Sequence, residues 1–333
     1  MKFVTYLDQG PRIGVIDQDD MVWSLRDLVA MFIFETERTP DAEKIASLLV
    51  PNDMVLFIRL NHGRLGPLHD ALLYGRDHQD RLTAAGMVRS LDETTLLPPV
   101  LRPSKVLCCG NSYGIYLDAQ LKAGLMEAEK WPQDVKMSFL KPPSALIGHG
   151  EDLVFPPDCE QWDYENELSI VIGRTASAIT LEQADEYIFG YTILNDACIR
   201  DIPIWTGGLD GPRGKAVDTL APLGPCIVPA EYLGRDPNDL RVRTLVDGEV
   251  RQDDRTSGLL WTVQRIVAFV SRYITLMPGD VVSTGSTTGN AYITGKWLKS
   301  GQVIQCEIEG IGTLENTIRR GHWATTLPPL ADR

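Results

Sequence analysis

The sequence predicts an α+β protein that is rich in β-structure. Its 29 glycines and 21 prolines in 333 residues imply many turns, which favours sheets over a helical bundle. Strand-like segments pair around turn signals, first over residues 2–7 and 12–17 and last over residues 303–309 and 313–318. Helical periodicity is found mainly in residues 40–90 and 259–273. Both kinds of element are therefore expected, with strands in the majority.

The chain is predicted to have two parts. Residues 1–98 are expected to form a small N-terminal α/β domain that serves packing or assembly, and residues 99–333 a catalytic domain. The boundary is the proline-rich connector 97–103. In the second part, Ser257 is expected to cap a helix over residues 259–273, whose apolar stripe faces the core.

Composition and charge narrow the class of protein. The chain is 44% hydrophobic and 23% charged, as in ordinary soluble globular proteins. A net charge of −13 argues against nucleic acid or an anionic membrane as a partner, but is compatible with a small anionic substrate if a metal and local cations reverse the sign in a cleft. No apolar run approaches the roughly 18 residues of a membrane span.

Cysteine and histidine usage adds two expectations. The six cysteines show no CxxC spacing, which indicates reduced thiols, and the N-terminus does not resemble a signal peptide, so a cytoplasmic location is expected. The five histidines form no HxxxH or HExxH pattern, which argues against a zinc site.

The segment around Glu165 and Glu167 carries the clearest chemical pattern. If residues 165–172 form a strand, the two glutamates project from one face, because alternate side chains share a face. Leu168, Ile170 and Ile172 then point to the core. Adjacent carboxylates repel, and a divalent cation relieves that repulsion because hard cations prefer carboxylate oxygens. The alternative is a solvated face of an edge strand.

Asp196 is the candidate third ligand. It follows a short buried strand over residues 190–194, at a position where a turn should begin. Between the two strands, Thr180 and Gln183 form a capping-box pattern that predicts a short helix to about Tyr187. This order of elements can bring Asp196 back to Glu165 and Glu167. The alternative is a turn aspartate that bonds its own backbone.

Several other polar segments surround these acids in the sequence. Lys141 precedes a rigid turn, Arg200 lies just beyond Asp196, and residues 285–289 form a hydroxyl-rich turn that can hold a carboxylate. Lys215 ends a Gly/Pro-rich loop and, taken alone, is expected to be a solvated surface lysine. The mixed-charge segment 114–136 is a candidate mobile lid.

These segments, taken in order, resemble the fumarylacetoacetate hydrolase family over residues 104–319. The matching stretches are KPPSALIG (141–148), DYENELSIVIGR (163–174), GYTILND (190–196) with Arg200 and Asp201, Lys215 with Asp218, PLGP (222–225), PGD (278–280), STGS (283–286) and GIGTL (310–314). A single Glu-x-Glu is weak evidence, whereas this many elements in one order is strong evidence.

The resemblance implies a mixed β-sheet roll for the catalytic domain and a homodimer. It also implies Mg²⁺, Mn²⁺ or Ca²⁺ held by carboxylates that match Glu165, Glu167 and Asp196. The family's substrates are small 2-oxo or 1,3-dioxo carboxylates, whose carbonyl the metal polarises. By the same resemblance, Lys215 approaches the developing oxyanion. The expected substrate contacts are Tyr113, Lys141, Arg200, Ser286 and Thr287.

The chain departs from the family where hydrolytic members carry a water-activating His-Glu dyad. Alignment on Gly110 and Tyr113 places Tyr116 at the histidine position and Ala119 at the glutamate position. A tyrosine, with a pKa near 10, is a poor base at neutral pH. Asp118, one residue out of register, is the candidate substitute. A glutamine expected after the arginine is replaced by Pro203.

Three functions follow from these observations. The first is a metal-dependent hydrolase that cleaves a C–C bond in an acylpyruvate-like or fumarylacetoacetate-like 1,3-dioxo acid. The second is a lyase or isomerase of the same family, such as a 2-oxo acid decarboxylase, a 2-keto-3-deoxy sugar acid dehydratase or a keto-enol or double-bond isomerase, none of which needs activated water. The third is a catalytically silent metal-binding protein. The family match narrowly favours hydrolysis, while the missing dyad favours the second function.

Overall fold

The structure is a computed structural model that describes residues 1–17, 20–201 and 211–322. Pro203 lies outside the described residues. The N-terminal part contains five strands and five helices among its described residues: β1 (Lys2–Leu7), β2 (Pro11–Ile16), β3 (Met21–Ser24), α1 (Leu25–Glu37), α2 (Ala42–Leu49), α3 (Met54–Asn61), α4 (Gly66–Asp77), α5 (Gln79–Ala84), β4 (Val88–Ser90) and β5 (Leu96–Leu97).

The rest of the chain is richer in strands. Its first half contains β6 (Val106–Cys109), α6 (Gly114–Lys122), β7 (Met137–Lys141), β8 (Leu146–Ile147), β9 (Asp152–Phe155), β10 (Trp162–Asp163), β11 (Asn166–Ile172), β12 (Ile188–Asn195) and β13 (Cys198–Ile199). Its second half contains α7 (Gly211–Lys215), β14 (Ala221–Pro229), β15 (Arg241–Val246), β16 (Glu249–Arg255), α8 (Val263–Ser271), β17 (Val281–Ser283), α9 (Ala291–Thr294), β18 (Val303–Ile308) and β19 (Gly312–Arg320).

The strands form mixed sheets, which confirms the predicted β-rich α+β class. The large sheet has the order β4-β3-β2-β1-β14-β12-β11-β17-β6-β7, with β5 on β1 and β8 on β14. A second sheet has the order β16-β15-β18-β19-β9, and β10 pairs with β13. Most pairs are antiparallel, but β6–β17, β8–β14 and β9–β19 are parallel. Both predicted terminal hairpins are present, as β1–β2 and β18–β19.

The N-terminal strands continue the large sheet formed by the rest of the chain. Phe3 on β1 pairs with Ile227 on β14. The core under helices α1–α4 also takes in Val171, Phe189 and Ile227 from the three neighbouring strands. One sheet and one apolar core extend across residue 98. The domain boundary proposed there stays a prediction.

A second apolar core lies on the other face of β11. Leu168, Ile170 and Ile172 are fully buried there, as the alternation of the strand predicts. Strands β11, β12 and β14 also contact β15, β18 and β19 of the second sheet. Strand β11 therefore lies in the interior, and the alternative of a solvated edge strand is wrong.

Two local predictions need correction. Helix α8 begins at Val263 and not near residue 259, because Thr262 is its N-cap and accepts a hydrogen bond from the Arg265 backbone N–H at 3.2 Å. The expected helix after Thr180 is only a 3₁₀ turn over Ala184–Tyr187, although the Gln183 side chain does accept the Thr180 N–H at 3.0 Å. Among the described helices, none has both the length and the apolar character needed to cross a bilayer.

Candidate metal centre and active site

The pairing of β11 with β12 brings the three predicted metal ligands together. In this antiparallel register Asn166 lies opposite Asn195, so Asp196 continues alongside Glu165. One carboxylate oxygen from each of Glu165, Glu167 and Asp196 lies within 4.8 Å of the others, and all three residues are buried. The alternation along one strand and the turn after the next therefore generate a cluster of three acids.

Glu165 is surrounded by donors. Its Oε1 accepts hydrogen bonds from Arg200 at 2.5 Å and from Asn290 Nδ2 at 3.0 Å, and its Oε2 pairs with Lys215 Nζ. Burial would raise the pKa of Glu165, but the charges of Lys215 and Arg200 outweigh it and lower that pKa to about 2. Glu165 is therefore ionised at neutral pH.

Glu167 has a different environment. Its Oε2 accepts hydrogen bonds from the Ser283 hydroxyl and from the Gly285 N–H, the latter at 3.1 Å. Burial raises the pKa of Glu167 well above its usual range, and the charges of Asp196 and Glu165 raise it further. The site therefore holds a carboxylate whose ionised form needs a nearby positive charge.

Lys215 and Lys141 flank Asp196. Lys215 Nζ lies 2.9 Å from Asp196 Oδ2 and 5.4 Å from the centre of the Phe139 ring. Because Lys215 is buried, its prediction as a solvated surface lysine is wrong, and its position fits the family expectation. Burial opposes its charge, yet Asp196 and Glu165 keep the pKa of Lys215 well above its ordinary value.

A cavity of about 120 Å³ lies over the three acids. Its lining includes the predicted residues Tyr116, Arg200, Lys215 and Ser286. The complete lining among the described residues is Cys109, Gly110, Asn111, Tyr116, Ser138, Phe139, Glu165, Glu167, Asp196, Arg200, Lys215 and Ser286. A cleft with these acids, cations and hydroxyls at its base can hold a small anion beside a metal ion.

Four predicted site residues do not line this cavity. Asp118 is exposed on α6, about 200° around the helix from the buried Tyr116, so its assignment as a substitute base is corrected. The prediction of Lys141 as a substrate contact is also corrected, because this residue is only 1% exposed. Its Nζ donates to the carbonyls of Ala197, Lys215 and Leu220 and lies 2.8 Å from Asp196 Oδ1.

The remaining two are held by other parts of the protein. The Thr287 hydroxyl donates to Asp254. Tyr113 is buried, and its ring packs beside Gly258. Both residues are 1% exposed and lie outside the lining of this cavity, so their roles as substrate contacts stay predictions.

Sequence reasoning missed Asn290 and Asp163. Asn290 follows the hydroxyl-rich turn and is fully buried, with its Nδ2 on Glu165 and also 3.5 Å from the Tyr116 hydroxyl. Asp163 is fully buried beside Arg200. The only available signal was proximity: Asp163 lies two residues before Glu165, and Asn290 comes directly after a turn already thought to bind a ligand.

The donor set fits a divalent cation. Carboxylate oxygens are the preferred ligands of Mg²⁺, Mn²⁺ and Ca²⁺. Asp196 Oδ1 is buried and accepts no hydrogen bond from a described group, although Lys141 lies nearby. The site contains four acids and three cations, which together leave one net negative charge when all are ionised. The acids are Asp163, Glu165, Glu167 and Asp196, and the cations are Lys141, Arg200 and Lys215. A divalent cation would reverse that sign, which suits an anionic ligand.

Comparison with known proteins identifies the family of this chain. Residues 105–319 match the family described as "Fumarylacetoacetate (FAA) hydrolase C-terminal". The chain belongs to the fumarylacetoacetate hydrolase family. Over 228 residues it is 33% identical to the mitochondrial oxaloacetate tautomerase FAHD2A of Bos taurus, an alignment that covers 68% of this chain and 70% of the relative.

Two solved structures of the family show the range of its chemistry. The 2-hydroxyhepta-2,4-diene-1,7-dioate isomerase from Mycobacterium marinum is 35% identical, with a TM-score of 0.59 over 72% of this chain and 82% of that one. The maleylpyruvate hydrolase from Sphingobium sp. SYK-6, in complex with manganese(II) and pyruvate, is 25% identical, with a TM-score of 0.66 over 97% of this chain and all of that one. Family members thus include isomerases, tautomerases and hydrolases.

Proposed function

We propose that this protein is a divalent-metal-dependent isomerase or tautomerase of small 2-oxo carboxylates. The observation that carries the proposal is Tyr116, which lines the cavity and occupies the position where hydrolytic relatives are expected to carry histidine. Position 119 is alanine, and no histidine lines the described part of the cavity. Proton transfer within an enol needs no activated water, so this site is better suited to isomerisation than to hydrolysis.

Glu165, Glu167 and Asp196 are the proposed metal ligands, and Mg²⁺ is the proposed ion, with Mn²⁺ or Ca²⁺ as alternatives. When bound, such an ion supplies Lewis acidity that polarises the 2-oxo group and stabilises enolate charge. The manganese and pyruvate in the hydrolase relative support both the ion class and the substrate class. Lys215 adds a second positive charge beside the same ligands, and Arg200 and Ser286 are the proposed contacts of the substrate carboxylate.

Tyr116 is the proposed proton donor. Burial and the Glu165 charge raise the pKa of Tyr116, while Arg200 and the Asn290 hydrogen bond partly offset them, so the phenol is protonated at neutral pH. In the enol-to-keto direction Tyr116 gives its proton to the carbon next to the carbonyl, and the tyrosinate takes the enol O–H proton. The enzyme is then restored, and one proton has moved from oxygen to carbon.

The test is a spectrophotometric assay of enol loss with oxaloacetate, the substrate in the name of the bovine relative, with and without Mg²⁺. We expect metal-dependent acceleration that EDTA abolishes. Equal rates with and without protein, for oxaloacetate and for a panel of 2-oxo dicarboxylates, would contradict the proposal.

C–C hydrolysis of a 1,3-dioxo acid is the second candidate. The maleylpyruvate hydrolase relative favours it, and Lewis-acid catalysis does not require a side-chain base. Reaction in ¹⁸O-water separates the candidates, because only hydrolysis places solvent oxygen in a new carboxylate. Release of CO₂ or loss of water from the substrate would instead indicate the lyase alternative.

We also propose a homodimer, the assembly that the family resemblance implies. Light scattering should then give twice the chain mass of 37.0 kDa. A mass of one chain at micromolar concentration would contradict the dimer without affecting the proposed reaction.

A further inference from the structure

One more buried carboxylate, Asp163, lies behind the candidate metal ligands. It is 0% exposed. Its Oδ1 accepts the N–H of Ala291 at 2.6 Å, and its Oδ2 accepts that of Tyr292 at 3.3 Å. The same Oδ2 accepts Arg200 Nε at 2.9 Å. A single side chain therefore joins the start of α9 to the guanidinium of Arg200.

Asp163 binds Arg200 and the start of α9, and both lead to one atom, Glu165 Oε1. Asn290, the residue just before α9, donates Nδ2 to Glu165 Oε1 at 3.0 Å. Arg200 donates to the same oxygen at 2.5 Å. The other oxygen, Oε2, contacts Lys215 Nζ, which also contacts Asp196 Oδ2. Arg200 and Asn290 thus hold Glu165 through Oε1, while Oε2 lies on the side of Asp196.

We propose that Asp163 is a positioning residue that fixes the orientation of Glu165 for the divalent cation. The inference rests on the metal site of the proposed function. Arg200 is shared between two carboxylates, Asp163 and Glu165, and this sharing limits its hold on Glu165. Without the Asp163 charge, the guanidinium pairs with Glu165 alone and competes with the cation for its oxygens. Asn290 also loses the anchored helix start that directs its amide.

The experiment is calorimetric titration of Asp163→Asn with MnCl₂ in the absence of substrate. Outer-shell partners of metal ligands typically change affinity by about 10–100-fold, so we expect Kd to rise by that factor. Asp280→Asn is the matched control: Asp280 is also 0% exposed, pairs with Lys105 and accepts the Met277 N–H at 2.7 Å. It should lower the thermal midpoint and leave the Kd for Mn²⁺ unchanged.

A double-mutant cycle distinguishes positioning from general destabilisation. Asn290→Ala should weaken Mn²⁺ binding by itself. If Asp163 acts partly through Asn290, the double variant should lose less affinity than the product of the two single losses. A loss in the double variant equal to that product would overturn the inference. A wild-type Kd in Asp163→Asn would also overturn it. If Asp163→Asn does not fold, Asn290→Ala decides alone, and an unchanged Kd overturns it.

The outcomes remain separate from those of the proposed function. A wild-type chain that binds no Mn²⁺ overturns the metal site and this inference together. Absence of turnover with every 2-oxo acid overturns the proposed reaction only, because the titration contains no substrate.

Discussion

The backbone N–H of Asp196 donates to the carbonyl oxygen of Glu165 at 2.8 Å. Two of the three candidate metal ligands are therefore joined through the main chain, at the point where β11 and β12 meet. Their side chains can be changed without removing this bond. Substitutions in the acidic cluster should thus separate metal binding from folding.

Glu167→Gln should weaken Mn²⁺ binding by more than 100-fold, because loss of a ligand exceeds the roughly 10–100-fold cost of losing an outer-shell partner. The metal-free protein should unfold at the same or a higher temperature, because the change removes repulsion from Asp196 and Glu165. Calorimetric titration and thermal unfolding measure the two effects. Unchanged Mn²⁺ affinity would exclude Glu167 as a ligand.

Lys215→Met should lower turnover by about 10²–10³-fold, the usual cost of removing one group that stabilises an oxyanion. Mn²⁺ binding should persist or tighten, since the ammonium that contacts Glu165 and Asp196 no longer competes with the ion. Steady-state kinetics and Mn²⁺ titration of the same preparation provide the measurement. Loss of Mn²⁺ binding would instead assign Lys215 a structural role.

Tyr116→Phe should lower kcat by about 10²–10⁴-fold, the range for general acid–base catalysis, because the proposed proton donor is gone. The Mn²⁺ affinity should stay within a few-fold of wild type. Asp118→Asn is the matched control on the exposed face of α6 and should keep wild-type kcat. Full activity in Tyr116→Phe would remove tyrosine from the mechanism.

His62 should make folding sensitive to mild acid. Its ring joins α3 to the 3₁₀ turn Ala184–Tyr187 through a 2.8 Å hydrogen bond between Nε2 and the Glu186 carbonyl, and burial lowers the pKa of His62. The neutral form is therefore favoured in the fold, so its contribution to stability is present above pH 6.5 and is lost as pH falls through the lowered pKa. In His62→Gln, the thermal midpoint should fall less than in wild type between pH 6.5 and 5. Parallel pH profiles would contradict this.

Much of the site could be predicted from local pattern. Alternation along one strand correctly placed Glu165 and Glu167 on one face and Leu168 and Ile170 in the core. Asp196 followed from the turn after the next strand. These predictions worked because each depends on backbone geometry within a few residues.

Prediction was less successful where long-range packing decides. Lys141 and Lys215 are both cationic residues in loop-rich sequence, yet one is enclosed by carbonyl oxygens and the other faces the cavity. Asp118 differs from Tyr116 by two helical positions, which moves it to solvent. Asn290 reaches Glu165 across 125 positions of the chain, a distance that no local pattern encodes.

The pairing of Phe3 with Ile227 determines how the protein should behave when residues 99–333 are expressed alone. A fragment that lacks residues 1–98 would leave one margin of β14 without its neighbour and uncover Val171, Phe189 and Ile227. Exposed apolar margins of this kind recruit other chains and precipitate. The amino-terminal segment therefore covers apolar surface that would otherwise favour aggregation, and the intact chain is the form to express.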